Sequence, residues 1–319
     1  MVRIQLWLLK IEQVIQAALD EARIDFSTET LWVLNVILAL IMFGVALHIR
    51  VSDFRSLISN PRPVLVGVLC QFLALPLVTF LLVLFFRPDP SLALGMILVA
   101  ACPGGNISNF ITSYAGGNRA LSVALTANAT LFAILLTPLN LSFWGSLYPP
   151  AHDLLRVISI DSLEMVRIVA LILGVPLLAG VWMNERYSAL AGRMANYLKH
   201  ISLAFFIGLI LVVIYNNRIQ IRDYLHLVFW LVFIQNSVAF LTGYMVGRLA
   251  GLSPRDTRSI TIETGIQNSG LGLVLIFTFF DGLGGMAVIT AFWGIWHLIS
   301  GLLLGSFWAY RPVREEVRG

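Results

Sequence analysis

The chain has 319 residues, 58% of them hydrophobic and only 12% charged, and its mean hydropathy is +0.86. A soluble domain carries about a quarter charged residues, so the composition excludes an ordinary soluble enzyme and points to an all-α polytopic membrane protein. The net charge of +4 is spread over short connections between apolar runs, with no basic block that would serve a nucleic acid.

In chain order, residues 1–29 come first. Lys10, Glu12, Asp20, Glu21, Arg23, Asp25 and Glu29 keep them from spanning a bilayer. Leu6, Leu8, Leu9, Ile11, Val14, Ile15 and Ala18 recur at near-helical spacing, which predicts an amphipathic surface helix. Nine apolar runs follow, each long enough for about 30 Å of hydrocarbon. They lie near 30–48, 63–86, 92–115, 120–142, 165–183, 200–216, 226–249, 259–280 and 286–309, within one transmembrane domain over 30–309, and a short tail spans 310–319. Cys70 and Cys102 both fall inside apolar runs and read as small buried residues, so neither a disulfide framework nor a zinc site is available.

Lys and Arg in alternate connections set the expected orientation. The connections 49–62, 116–119, 184–199 and 248–258, with the tail 310–319, hold thirteen of the 21 basic residues. This predicts a cytoplasmic C-terminus and an N-terminus outside.

Sixteen of the seventeen acidic residues fall in the N-terminal segment, in connections or at span ends; Glu263 alone lies within an apolar run. A carboxylate at membrane depth persists where it faces protein or water and has a partner. The Lys and Arg that fall within the runs, Arg167 and Arg248, stand at run ends, so hydrogen-bond donors, a proton or a bound cation remain. The plain alternative is a packing residue near a cytoplasmic helix end, since Arg258 is five residues upstream. Gly265, Gln267, Asn268, Ser269, Gly270 and Gly272 follow Glu263, a concentration that predicts interrupted helix lining a cavity.

The third run is interrupted in the same way. Pro103 removes a backbone donor, Gly104 and Gly105 loosen the helix, and Asn106, Ser108 and Asn109 supply oxygens just beyond. Alone, this motif reads equally as a proline kink. Two interrupted polar spans predict an inverted-repeat secondary transporter with two broken, crossed helices. Each is followed by a glycine-containing link and a long apolar span; in the first, Ser122 and Thr126 share one helix face, where hydroxyls ordinarily bond back to their own helix. Replacing Thr79 or Thr137, elsewhere in apolar runs, is expected to do little to any ion dependence of Glu263.

These residues resemble the bile acid:sodium symporter family. The resemblance rests on Cys102-Pro-Gly-Gly105, Ser108-Asn109, Leu121-Ser-Val123 and Thr126, with Glu263 to Gly270 as a second signature. Gln71-Phe72 with Pro76, and Trp296 to Gly301, extend it over about 35–308. It implies a bacterial homologue of the sodium-dependent bile acid transporters, in the inner (plasma) membrane. Core spans would be about 63–142 and 226–309, with panel spans about 30–48, 165–183 and 200–216. Two Na⁺ ions are implied. Ser108, Asn109, Ser122, Thr126 and Glu263 would hold the first, and Gln71, Glu263, Gln267 and the carbonyls of Thr264 and Ile266 the second. These are the oxygen ligands a hard cation takes.

By the resemblance Asn106 and Leu298 border the family's substrate cavity, Asn268 is expected to touch substrate from beside the sodium ligands, and His297 reads equally as a substrate contact or a buried structural histidine; the breaks lie at Pro103, Gly104, Gly105 and Gly265. The implied function is sodium-coupled import of an organic anion, bile-acid-like or smaller, by alternating access. The implied partners are that anion and the lipid bilayer, with no nucleic acid and no obligate protein partner. A proton-coupled transporter or exchanger using Glu263 as its proton site is the alternative. An intramembrane enzyme would need an acid/base pair or a metal cluster facing a cavity, and the spans offer one carboxylate and one deep histidine.

Overall fold

The computed structural model describes residues 28–59, 61–105, 107–157, 162–216 and 218–311. The amphipathic segment expected over 1–29 lies almost entirely outside the described residues, as do Asn106 and the tail beyond residue 311. Among the described residues the fold is helical, with one isolated backbone bridge and no strand.

Helix α1 (Thr28–Ala46) leads through the short α2 (Val51–Ser59) into α3, which runs from Pro61–Leu69 through a π-helical turn at Cys70–Ala74 to Leu75–Phe86. Helices α4 (Pro90–Ala101) and α5 (Ile107–Tyr114) flank a first break, and α6 (Arg119–Ser146) and α7 (Pro149–Val157) follow. Helix α8 joins Ser162–Val169 to Val175–Arg186 through a second π-helical turn, Ala170–Gly174. After α9 (Ser188–Asn216) and α10 (Arg218–Leu249), helices α11 (Pro254–Gly265) and α12 (Ser269–Phe279) flank a second break, and α13 (Gly284–Ala309) closes the fold.

Among the described residues five helical stretches are long and apolar enough to cross a membrane: Pro61–Phe86, Arg119–Ser146, Leu163–Arg186, His226–Leu249 and Gly284–Ala309. Their outer faces are apolar. Leu65, Leu69, Leu73, Leu77 and Leu81 of α3 are exposed, as are Leu131, Leu135, Leu139 and Phe143 of α6 and Ile299, Leu303 and Phe307 of α13. Each set steps by four residues, hence along one helix face. Water would be met there by polar side chains, whereas hydrocarbon accepts this pattern.

The broken helices are enclosed instead. Every residue from Ser91 to Ala101 in α4 and from Gly270 to Phe277 in α12 is buried. Helix ends are fixed by local chemistry. Ser253 accepts from the Asp256 N–H at 3.1 Å with Pro254 at the first helical position, and Asn118 and Asn268 cap α6 and α12 through the N–H groups of Leu121 and Leu271. The π-helical turns precede Pro76 and Pro176. A proline ring clashes with the carbonyl four residues back, here Phe72 and Ile172, and a widened turn relieves it. In α3 the widened turn carries Gln71.

The helices overrun the apolar runs. Helix α9 starts at Ser188 and α10 at Arg218, so most of the connection expected at 184–199 is helical. Its Ala, Leu, Met, Lys and Arg residues are good helix formers. Hydropathy marks where lipid ends, and helix propensity carries the backbone beyond it.

Candidate functional site

The two interruptions meet. Beyond Ala101 the chain turns extended at Cys102 (φ −70°, ψ 154°), and beyond Gly265 it does so at Ile266 (φ −107°, ψ 101°). The Gly105 N–H donates to the Ile266 carbonyl and the Asn268 N–H to the Pro103 carbonyl, both at 2.8 Å, and Gly104 pairs antiparallel with Gln267. Backbone that has left its helix thus satisfies its polar groups on the other broken span, as a buried chain requires.

Glu263 stands in the last turn of α11 beside this crossing, only 3% exposed. Its Oε2 accepts from Ser108 Oγ of α5 at 2.6 Å and from Ser122 Oγ of α6 at 3.1 Å, while its Oε1 accepts from Thr126 Oγ1 at 2.6 Å. Thr126 also lies 3.1 Å from the Ser122 carbonyl and 3.5 Å from Asn109 Oδ1. One hydroxyl proton cannot serve three acceptors, and the shortest contact is to the carboxylate. Arg258 is not its partner: the guanidinium donates to the carbonyls of Ala115 (2.6 Å), Trp308 (3.3 Å) and Arg311 (2.6 Å).

Glycine makes room for the carboxylate. A Cβ on Gly104 would overlap Glu263 Oε1 and lie 2.9 Å from its Cδ. At Gly265 a Cβ would run into the Phe240 ring, and at Gly272 it would come within 2.9 Å of Thr290, so the glycines after Glu263 serve packing as well as interruption.

Three hydrogen bonds to an ionised group, at about 1.5–3 kcal/mol each, match the several kcal/mol that desolvating a carboxylate costs. The same hydroxyls could turn a lone pair toward a cation instead. The arrangement therefore supports the carboxylate in two conditions, with hydroxyl donors alone or with an ion, and the exchange needs only rotation about C–O bonds.

A second polar group lies on the other side of the break. Gln71 Nε2 donates to the Cys102 carbonyl and to Gln267 Oε1, each at 2.7 Å, and Gln267 Nε2 donates to the Thr264 carbonyl at 2.6 Å. Gln71, Thr264 and Gln267 are thereby brought together across 196 residues of chain between the two glutamines. Asn268 sits on the break itself, with its Oδ1 capping α12 and its Nδ2 4.0 Å from Met42 Sδ of α1. His297 is buried on α13, and its Nδ1 has no hydrogen-bond partner among the described residues. Neither side chain hydrogen-bonds to Glu263, Gln71 or Gln267 among the described residues. Asn106 lies outside them.

Thr137, expected to have little effect on the sodium response, has a structural role. Fully buried, it donates to the Ala101 carbonyl at 2.7 Å, capping the end of α4 at the break. Thr137→Ala is expected to lower stability by about 1–3 kcal/mol, because the carbonyl would be left unpaired in a dry interior. Thermal unfolding of detergent-purified protein measures this, and Thr137→Ser, which keeps the hydroxyl, should stay near the unsubstituted value. Asn236 drew no expectation from the sequence, and Ser300 entered only within the segment Trp296 to Gly301. Gln235 and Asn236 are adjacent carboxamides inside an apolar run, a signal of the same kind that singled out Glu263.

Apolar outer faces, two enclosed broken helices bonded to each other and a buried carboxylate at their crossing define a helical membrane protein organised around a polar crossing. The sequence profile described as the Sodium Bile acid symporter family matches residues 35–223. An uncharacterized sodium-dependent transporter of Bacillus subtilis (strain 168), YocS, is 31% identical over 283 residues, covering 89% of this chain and 85% of the relative. A probable chloroplastic sodium/metabolite cotransporter of Arabidopsis thaliana, BASS1, is 31% identical over 271 residues, 85% of this chain and 65% of the plant protein's length. The human ileal sodium/bile acid cotransporter is 29% identical over 286 residues, 88% of this chain and 79% of the relative. The chain belongs to the sodium bile acid symporter family, an integral membrane family of sodium-dependent transporters and not of enzymes.

Proposed function

We propose that the protein is a sodium-coupled symporter that imports a small organic anion, bile-acid-like or a smaller carboxylate, by alternating access. The observation that carries this reading is Glu263, buried, held by hydroxyls from α5 and α6 and without a cationic partner among the described residues. The names of the relatives, sodium/bile acid and sodium/metabolite cotransporters, agree with it.

The first Na⁺ would take Glu263, Ser108, Asn109, Ser122 and Thr126. The second would take Glu263, Gln71, Gln267 and the carbonyls of Thr264 and Ile266. Both α4 and α11 end at the crossing, so their negative dipole ends add to the attraction for a cation. Helices α5 and α12 begin there, and their positive ends, with Asn268 and His297, suit an anion. Cations at Glu263 would cancel the charge that repels an arriving anion.

The order long helix, half helix, break, half helix, long helix occurs twice, in α3–α6 and α10–α13, and the breaks pair antiparallel. This supports an inverted repeat. With α1, the apolar part of α9 and the two broken spans added to the five long apolar stretches, nine spans result. The N-terminus is then outside and the C-terminus in the cytoplasm of a bacterial plasma membrane.

Proteoliposomes offered a panel of carboxylates and bile-acid-like anions test the proposal. Uptake is expected to follow an inward sodium gradient and to ignore a pH gradient at constant sodium. Uptake driven by the pH gradient alone would move the assignment to a proton-coupled carrier with Glu263 as the proton site.

A further inference from the structure

The second break frees three consecutive carbonyls. The N–H groups that would complete the helix go elsewhere, Asn268 to the Pro103 carbonyl and Ser269 to the Gln267 carbonyl. Each freed carbonyl then meets a different donor. Thr264 accepts from Gln267 Nε2 at 2.6 Å, Ile266 from the Gly105 N–H at 2.8 Å, and Gly265 from Asn236 Nδ2 at 2.8 Å. Only the donor to Gly265 comes from outside the broken spans, from the middle of α10.

Asn236 is fully buried and its amide has a fixed sense. Its Oδ1 accepts from Ser300 Oγ of α13 at 2.5 Å, so its Nδ2 is the end that faces Gly265. Ser300 also lies 3.0 Å from the Trp296 carbonyl and 3.3 Å from that of His297, and the bond to Asn236 is the shortest of the three. The first break has a counterpart: Gln71, on the long helix preceding it, donates to the Cys102 carbonyl across 31 residues, as Asn236 does to Gly265 across 29.

We propose that Asn236, oriented by Ser300, is a positioning residue for the second sodium ion; the proposal rests on the reading of that site given above. An NH₂ group repels a cation, so Asn236 cannot be a ligand from this end. What it does is tie the middle carbonyl of the three to α10, which fixes the 265–266 peptide plane that lies between the planes carrying the Thr264 and Ile266 carbonyls. The flanking carbonyls of Thr264 and Ile266 stay with the crossing, where the ion would replace the movable Gln267 amide. Without this tie the 264–267 backbone could turn about Gly265 and scatter the two carbonyl ligands. Groups that orient metal ligands commonly alter affinity by about 10- to 100-fold when removed.

The test is a sodium titration of the full-length chain in detergent, with choline holding ionic strength constant and tryptophan fluorescence or thermal shift as readout. Asn236→Leu is expected to raise the half-saturating sodium concentration by about 10- to 100-fold. Ser300→Ala should move it in the same direction by less, and Ser300→Thr, which keeps the hydroxyl, should restore it. Should Asn236→Leu fail to fold, the Ser300 pair decides alone. The effect should be non-additive with Gln71→Ala, which acts on the same ion. Variants that lower the sodium-free melting point while leaving half-saturation in place, or whose effects add to that of Gln71→Ala, would overturn the proposal and leave Asn236 a packing residue. If Gln71→Ala and Gln267→Ala themselves leave half-saturation unmoved, the second-site reading falls, and this proposal with it.

Discussion

Glu263→Gln and Glu263→Ala are expected to abolish sodium-dependent stabilisation and sodium-driven uptake while leaving a folded, inserted protein. A unit charge attracts a cation about 4 Å away by about 4 kcal/mol at an effective dielectric constant near 20, and losing that is about a thousandfold in affinity. Glutamine keeps the shape and one carbonyl oxygen for Ser108, Ser122 or Thr126, but it carries no charge. In the absence of sodium the sign differs. Exchanging a buried carboxylate for a neutral amide removes a desolvated charge, so Glu263→Gln should be no less stable than the unsubstituted protein in sodium-free buffer. Thermal unfolding with and without sodium gives both quantities in one experiment. A Glu263→Gln protein that still gains stability with sodium would place the ion elsewhere.

Gly104→Ala should produce the second-largest loss. Its Cβ would occupy the space of Glu263 Oε1, and the neighbouring atoms are the carboxylate's own Cδ at 2.9 Å and Cγ at 3.1 Å, so the side chain would have to leave its hydroxyl partners. Overpacking of this kind costs about 1–3 kcal/mol, which is about 5- to 150-fold if it falls on sodium binding. Gly105→Ala should cost less, since its nearest neighbour is the Gln267 carbonyl oxygen at 3.0 Å. Gly192→Ala, with nothing within 4 Å, should leave the sodium response unchanged. A rise in half-saturating sodium of equal size at Gly104 and Gly192 would mean that the carboxylate's position does not matter.

Glu263 and the two interruptions were legible in the sequence because each is a local departure from an apolar run. A carboxylate among hydrocarbon side chains, or Pro-Gly-Gly in the middle of a span, needs no knowledge of the rest of the chain. The contacts that give these departures a purpose are not local. Gly105 and Ile266 meet across 161 positions of sequence, by subtraction of their numbers, and nothing in either segment specifies the antiparallel pairing between them. Thr137 shows the limit most clearly. It shares its run with Ser122 and Thr126, yet nothing local sets it apart as a cap, and only the approach of α6 to the end of α4 reveals its role. The overrun of α9 and α10 beyond their apolar runs was hidden for another reason. Hydropathy reports the solvent around a helix and says nothing of residues such as 188–199, where propensity continues the helix into a polar setting.

The central claim, that sodium and an organic anion bind to one crossing and assist each other, is tested most directly by titrating purified protein both ways round. Linkage requires that the factor by which saturating sodium tightens the anion equal the factor by which the anion tightens sodium, typically about 5- to 150-fold. Calorimetry in detergent, with the anion identified from the proteoliposome panel, measures both without any transport step. The account predicts equal factors within that range, and their loss in Glu263→Gln. Anion binding of the same strength when potassium replaces sodium would contradict it, since sodium would then have no differential affinity for the anion-competent state.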